Sequence, residues 1–593
     1  MDSQEKRNLF IAVILTTLIF MGWNYFFEPK NPLMPQQAQQ ANADSASQSG
    51  ASNLPPAPMD RSTALAQSPR IAIDTPKLKG SINLRGARFD DLTLRGYHVK
   101  ADKDSPLEVL LHPNHQEERV VEVKSLFGAD QKKIEQVQMG YQGAFGWLSD
   151  KKSMPLPDAD TLWQADRTTL KPGEPITLSW DNGAGLVFQQ IIAVDENYLF
   201  SVTQKVINNG SEAIQVRPHG LITRRGTPST SGFYILHEGP LGYLNDKLVE
   251  IDYKDLKEKP EQTYASKGGW LGLTDKYWLT AFIPDQKADL KITYADQTQA
   301  GTDLYKINFE AQAMDVAPNS TTEITNHFFA GAKVLDLLDG YEEKLGVKHF
   351  DLAVDFGWFY FMTKPLFSII THAHNWFGNF GLAIIFLTIV LKLLFFPLAN
   401  KSYRSMARMK ALQPEIQKIQ TRWANDKLRM NQELMEFYKK QEINPLGGCL
   451  PMLIQIPVFF ALYKVLFVTI EMRHAPFYGW IHDLSAPDPT SVFNLFGLIS
   501  WDPPSMLQLG AWPLMMGITM VLQQRLSPQP ADPAQAKMMM IMPILFTIMC
   551  ANFPAGLVIY WSLSNIMTIG QQWALMQLEA KRPAQAPAKK GKR

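Results

Sequence analysis

Acidic residues are missing from every long apolar run of this sequence, and cysteine is nearly missing altogether. The two cysteines among 593 residues, Cys449 and Cys550, both sit in apolar stretches, so neither a disulfide framework nor a thiolate metal site is indicated. A surplus of either charge is missing too. With 58 basic against 57 acidic residues the formal charge is +1, which argues against a general polyanion binder or a sequence-specific nucleic-acid partner. The motifs GxxxxGK[ST], GxSxG and HExxH do not occur, and His98, His112, His115, His219 and His237 form no metal or catalytic spacing. Neither an enzyme, nor a cofactor, nor a nucleotide-driven motor is therefore indicated. Coupled transport is disfavoured because no intramembrane carboxylate is available to carry an ion and no inverted repeat is visible.

What the sequence does have is apolar length. Leu9 to Phe27 is apolar for 19 residues behind Lys6 and Arg7, which suits a retained anchor. The small residues Ala41 and Ala43, a conceivable cleavage site, lie well beyond that run. Further spans are expected at Trp376 to Leu398, Leu446 to Ile470, Met506 to Gln524 and Met538 to Met576. The last is too long for one crossing of about 20 residues, and the turn signal NFPAG, Asn552 to Gly556, divides it. Six spans result. When they alternate, one side collects Lys6, Arg7, the segment Lys401 to Lys440, Arg525, Lys537 and a tail with Lys581, Arg582, Lys589, Lys590, Lys592 and Arg593. The opposite loop, Glu471 to Ser505, carries only Arg473 beside several acids. Both termini are thus expected in the cytoplasm and the large domain after the first span outside.

That outer domain begins behind a segment rich in Pro, Gln, Ala and Ser, from Asn31 to about Pro69, whose composition favours a flexible tether. From Arg70 to Ala330 strand signals recur without intervening helices (PITLSW, LVFQQIIAV, LFSVTQKVI, DLYKINFEA), the pattern of a β sandwich. Between the second and third spans, helix formers broken at Ala424 to Asp426 suggest an antiparallel helical hairpin. Met406, Met409, Trp423 and Met435 on it are candidates for capturing apolar substrate segments, because methionine adapts to varied surfaces; the alternative is that they pack the hairpin.

Lys392 stands inside FLTIVLKLLFFPL, a run that otherwise reads as lipid-facing. Two alternatives stay open: its stem carries the ammonium to the inner interface, or water reaches it in a cavity. Polar residues that could line such a space recur at helical spacing. Thr388 lies four residues before Lys392; Trp561, Asn565, Thr568 and Gln572 form one stripe; Trp512, Met516, Thr519 and Gln523 form another; Gln455 adds an amide. Such stripes also bond helices together, at about 1 kcal/mol per contact.

The strings PLANKSYRSMARMKALQPEIQKIQ, INPLGGCLPMLIQIPVFFALY, APFYGWIHDLSAPDP and FPAGLVIYWSLSN, in this order, resemble the YidC-type membrane protein insertases of Gram-negative bacteria over nearly the whole chain. The resemblance implies a polytopic α-helical inner-membrane protein of six spans, an anchor plus a five-helix core. It implies an inserted periplasmic all-β sandwich similar to galactose mutarotase. It also implies an activity: inserting and folding nascent membrane proteins, alone or beside the Sec translocon, with the ribosome meeting the basic tail and hairpin. An envelope assembly scaffold acting through the outer domain is the alternative. In that family the groove charge is usually arginine; here Lys392 holds the position, five residues before Pro397. Thr388 and Trp561, with Tyr560 before it, take the family's substrate-contacting positions, and a tyrosine is replaced by Trp561. The expected groove is Lys392, Thr388, Gln455, Tyr560, Trp561, Asn565 and Thr568. The expected parts are the anchor (1–30), tether (31–69), periplasmic sandwich with a C-terminal helical segment (70–350), interfacial helix (351–375), second span (376–398), cytoplasmic hairpin (399–444), spans three to six (445–576) and basic tail (577–593).

Overall fold

A computed structural model of the chain describes residues 60–123, 131–151, 153–230, 236–298, 301–441, 450–501, 503, 508–527 and 533–580. The anchor expected at 1–30, most of the tether expected at 31–69 and nearly all of the tail expected at 577–593 lie outside them. The described residues divide between Asp355 and Phe356 into two compact units.

The first unit is a sandwich of an eleven-stranded and a nine-stranded sheet, built almost wholly from antiparallel pairs. Alternation makes the strands: in Leu186–Val194 every second side chain is buried, and Leu199–Asn208 pairs with it in continuous register. The two inner faces interlock through six phenylalanines. Phe89, Phe145 and Phe309 come from one sheet and Phe200, Phe282 and Phe328 from the other, with neighbouring rings 5.0–5.3 Å apart in edge or tilted contact. Truncating one such ring to alanine costs about 3–5 kcal/mol. Glycine is required where the layers are closest: a Cβ on Gly143 would lie 2.6 Å from the Phe328 ring. Buried amides bridge the same gap, Gln190 donating to the Phe145 carbonyl (3.0 Å) and Gln204 to that of Gly146 (2.6 Å).

The tether does not run to residue 69. Asp60 caps a short helix α1 (Arg61–Ala66) by accepting from the Thr63 amide at 2.9 Å, and Arg61 pairs with Asp91 at 2.5 Å. Composition missed this because a local cap and an ion pair to a strand 30 residues on, rather than apolar content, hold the segment. Helices α2 (Tyr253–Glu258) and α3 (Leu335–Leu345) complete the unit.

In the second unit α4 (Tyr360–Phe377) ends at Gly378, whose φ of 66° stops the helix, and Asn379 caps α5 (Phe380–Ala411) by accepting from Leu382 at 3.1 Å. Trp376 therefore belongs to α4, and the expected span from 376 starts instead at Phe380. The helix also continues through Pro397 to Ala411, so the first part of the expected hairpin (399–444) prolongs the span; the hairpin proper is α6 (Gln413–Arg422) and α7 (Lys427–Lys440). Helices α8 (Leu450–Val468), α9 (Ala511–Leu526), α10 (Pro533–Met549) and α11 (Ala555–Ala580) follow. The break at Phe553–Pro554 separates α10 from α11.

Among the described residues α5, with 32, is the helix long and apolar enough to cross a membrane; Gln455–Val468 and Ala536–Asn552 are shorter apolar helices. Of the six expected spans, the first lies outside the described residues and α8 is described with its side chains only from Gln455 onward; the other shortfalls have physical reasons. Helices α9 and α10 have 16 and 17 residues, short of about 20, and α11 dilutes its apolar character with Ser562, Ser564, Asn565, Thr568, Gln571 and Gln572.

Candidate functional site

The site is built where α5, α9 and α11 pack. Lys392, half-buried on α5, donates from Nζ to Thr568 Oγ1 on α11 at 2.8 Å. The Thr568 hydroxyl in turn donates to the Ser564 carbonyl at 2.8 Å, so its lone pairs face the ammonium. One turn earlier on α5, Thr388 is 1% exposed and donates to the Ile384 carbonyl at 2.7 Å. It is closed off rather than lining open space. The residues just beyond Lys392, Leu393 and Leu394, are each 66% exposed, so the cation sits at the margin between packed helices and an apolar outer surface.

The stripes on α9 and α11 meet one another. Buried Asn565 donates to Thr519 Oγ1 at 3.2 Å, which itself donates to the Met516 carbonyl at 2.7 Å. Farther along α11, Gln571 donates to Asn400 Oδ1 at 3.1 Å, while buried Gln572 keeps an unpartnered Oε1. On the other side Gln455 of α8 donates to the Tyr560 hydroxyl, and Tyr560 is buried. Trp561 remains partly exposed between Phe459 (4.7 Å) and Phe546 (5.6 Å). Of the seven expected groove residues, Lys392 and Thr568 thus form one contact and Gln455 and Tyr560 a second. Asn565 bonds a residue of the other stripe, Trp561 lies among aromatics, and Thr388 bonds only its own helix.

The hairpin is pinned by few apolar contacts: Ile416 and Leu434 are buried, whereas Met435 is 66% exposed. Met406 and Met409 lie on the continuation of α5 and are half-buried, and Trp423, at the turn, is covered by the Arg429 guanidinium 4.3 Å from its ring. Lys410 donates to the Arg525 and Leu526 carbonyls at 3.1 and 3.3 Å, a cation on the carbonyl end of α9.

Several groups lay beyond sequence reasoning. Asp488, 6% exposed, accepts from the Trp480 indole (3.1 Å), from both the amide and the hydroxyl of Thr490 (3.0 and 2.7 Å) and from the Trp512 amide (2.9 Å), tying the α8–α9 connection to the start of α9. Its only signal was an acid followed by Pro-Thr before a helix. In the sandwich His112 and His115 do meet, with rings 5.1 Å apart, because a bulge lies between them. Among the described residues one carboxylate group, Asp339, Glu342 and Asp351, has the reach to hold a cation; Glu342 already accepts from the Phe350 amide at 3.0 Å.

Residues 372–582 match the family described as 60Kd inner membrane protein, and residues 70–138 and 132–369 match the YidC periplasmic domain. A membrane protein insertase YidC of Methylobacterium radiotolerans is 44% identical over 609 residues, covering 97% of this chain and 95% of that one. The insertase of Rickettsia bellii is 45% identical over 574 residues, with 96% and 99% covered, and that of Granulibacter bethesdensis 45% over 600 residues, with 99% and 100%. Among solved structures, an active YidC insertase with its first transmembrane domain resolved aligns over 85% of this chain and 92% of that one, at 14% identity and a TM-score of 0.34.

Proposed function

This chain belongs to the YidC family of membrane protein insertases, an inner-membrane family with a periplasmic domain, and from that membership we propose how its own residues work. The helices of the second unit, with the N-terminal apolar run, make six crossings with both termini in the cytoplasm. Between them Lys392 holds a positive charge in a hydrated groove, flanked by Thr568, Asn565, Gln455, Tyr560 and Trp561. A nascent segment is met first by the cytoplasmic end of α5 and the hairpin, where Met406, Met409, Trp423 and Met435 take up apolar side chains. Its short outer tail then passes along the groove, where the ammonium lowers the cost of desolvating carboxylates. The apolar body slides out to lipid, and its burial drives the step without covalent chemistry.

The observation that carries this reading is the Lys392–Thr568 bond. An ammonium in the middle of an apolar helix is held to a helix that carries a polar stripe, with part of it still accessible. The ribosome is a proposed partner through the tail and the exposed Lys401, Arg404, Arg408, Lys418 and Arg422; the Sec translocon is a second, on the strength of the family alone. Thr388 contributes packing rather than substrate contact.

Site-specific photocrosslinking during synthesis of a short single-span protein tests the route. Probes at Gln455 and Trp561 are expected to label the nascent helix, and outward controls at Ile544 and Ile548, 61% and 58% exposed on α10, to label it weakly. Equal labelling at all four sites would sink the groove, leaving the polar contacts as helix–helix bonds and a periplasmic scaffold as the reading to pursue.

A further inference from the structure

The connection between α8 and α9 displays apolar side chains that a water-exposed loop would not. From Pro489 to Trp501 it holds no charged residue, and Phe493, Leu495, Phe496, Leu498, Ile499 and Trp501 are 46–86% exposed. Leu495 and Phe496 take φ of 50° and 58°, a left-handed pair without glycine, and Gly497 follows at 96°. Bulky residues avoid that region, so the tip is held in it by its surroundings.

The holding is done from inside. Phe493 donates to Ser491 Oγ (3.2 Å) and Phe496 to the Ser491 carbonyl (2.7 Å). Gly497 donates to Asn494 Oδ1 (3.0 Å), Leu498 to the Leu495 carbonyl (3.3 Å), Ile499 to that of Asn494 (3.1 Å) and Trp501 to that of Ile499 (2.8 Å). Six of the backbone amides at the tip are therefore satisfied locally, while the apolar side chains are turned outward. A surface made for a protein partner would offer polar atoms at its rim; a segment made to enter hydrocarbon must satisfy its own backbone.

We propose that residues 491–501 form a wedge seated in the outer leaflet of the bilayer, with Leu495, Phe496, Leu498 and Ile499 below the headgroups and Trp501 among them. The inference rests on the reading that α8 and α9 cross the membrane, since it is that crossing which puts this loop at the outer surface. The Asp488 bonds fix the base of the loop to the start of α9, so the wedge sets the depth of both helices. It fits a lipid surface of mixed aromatic and aliphatic demand and needs no anionic headgroup, because it carries no cation.

The test is spin-label accessibility on the full chain in phosphatidylcholine vesicles, with labels at Leu498, His482 and Ile544 in a background lacking Cys449 and Cys550. His482 is an exposed polar position in the same connection, and Ile544 reports lipid on α10. Leu498 is 86% exposed, so a label there leaves the packing intact. The expected result is that the ratio of oxygen to nickel-chelate collisions at Leu498 rises severalfold above that at His482 and approaches that at Ile544. A water-like ratio at Leu498 with a lipid-like one at Ile544 overturns the wedge and spares the membrane reading. Shielding of Leu498 from both reagents also overturns it, assigning the patch to protein. A water-like ratio at Ile544 overturns the membrane reading and the wedge with it.

Discussion

Replacing Lys392 with methionine separates an insertion role from a structural one, because the two predict opposite signs. A basic side chain at the centre of an apolar helix costs about 2.5–3.5 kcal/mol, and a hydrogen bond from a charged donor recovers about 1.5–3 kcal/mol. Lys392 makes one such bond, to Thr568 at 2.8 Å, so its net contribution to folding lies near zero or is unfavourable. The Lys392→Met chain is therefore expected to resist unfolding in detergent as well as the parent or better, within about 2 kcal/mol. Insertion should behave otherwise. A tail carboxylate about 8 Å from the ammonium gains about 2 kcal/mol at an effective dielectric of 20, and losing that slows the step by about thirtyfold. The assay is insertion of a single-span protein into vesicles holding the purified chain, comparing a tail with two aspartates against a neutral tail. The Met variant should slow only the acidic tail, and Lys392→Arg should restore it, since a diffuse field rather than forked geometry is at work. Equal loss for both tails, or a loss of stability beyond 2 kcal/mol, would refute the reasoning.

A double-mutant cycle on Thr519→Ala and Asn565→Ala, read by unfolding in detergent, should give a coupling of about 0.6–1.7 kcal/mol; zero coupling would mean the 3.2 Å bond is not made. Gly381→Ala should destabilise by about 1–3 kcal/mol although alanine favours helix, because its Cβ would lie 1.9 Å from the Phe477 ring; a gain in stability would show that Phe477 moves aside freely. In the sandwich, burial holds His219 down to about 4, and burial together with the charge of His115 holds His112 down to about 3. Both rings stay neutral in the fold where the unfolded chain takes up protons, near 6.5, so their contribution is full above 6.5 and lost as pH falls toward 4 and then 3. At about 1.4 kcal/mol per unit and ring, halved for their partial exposure, the domain should lose about 2 kcal/mol between pH 7 and 5. Thermal melts of the parent and of His112→Asn/His219→Asn check this; parallel pH dependence in both would count against it.

The outer sandwich was legible because alternation is a local signal: Leu186–Val194 shows it in nine consecutive residues. The polar stripes were legible for the same reason. Which stripe faces which was not, because the rotation of each helix is set by contacts such as Gly381 on Phe477 and Gly517 on Thr547, and neither leaves a periodic trace. Thr388 shows the consequence. It shares a face with Lys392 by spacing, yet its hydroxyl turns back to Ile384 and leaves the cation to bond across to α11. The start of α5 was misplaced because an apolar run continues across Gly378 and Asn379, and two caps override hydropathy there.

Those interhelical pairs bear on how the proposed conduit and a stable bundle coexist. Each joins two helices by one described bond: Lys392 to Thr568, Asn565 to Thr519, Gln571 to Asn400, Gln455 to Tyr560. At about 0.6–1.7 kcal/mol for each neutral pair and about 1.5–3 kcal/mol for the charged one, any one can be exchanged for a bond to a passing peptide group. Stability does not hang on the exchange, because the helices also pack through Ile384, Leu387, Met516 and Ile559, all fully buried. A row of strong buried ion pairs would have held the helices as firmly but resisted opening, since breaking such a pair costs about 3–5 kcal/mol. The proposed groove gives a reason for the absence of carboxylates from the apolar runs. An aspartate opposite Lys392 would neutralise the charge offered to an incoming tail and fasten α5 to α11, whereas a threonine holds the ammonium in place and leaves its field unspent.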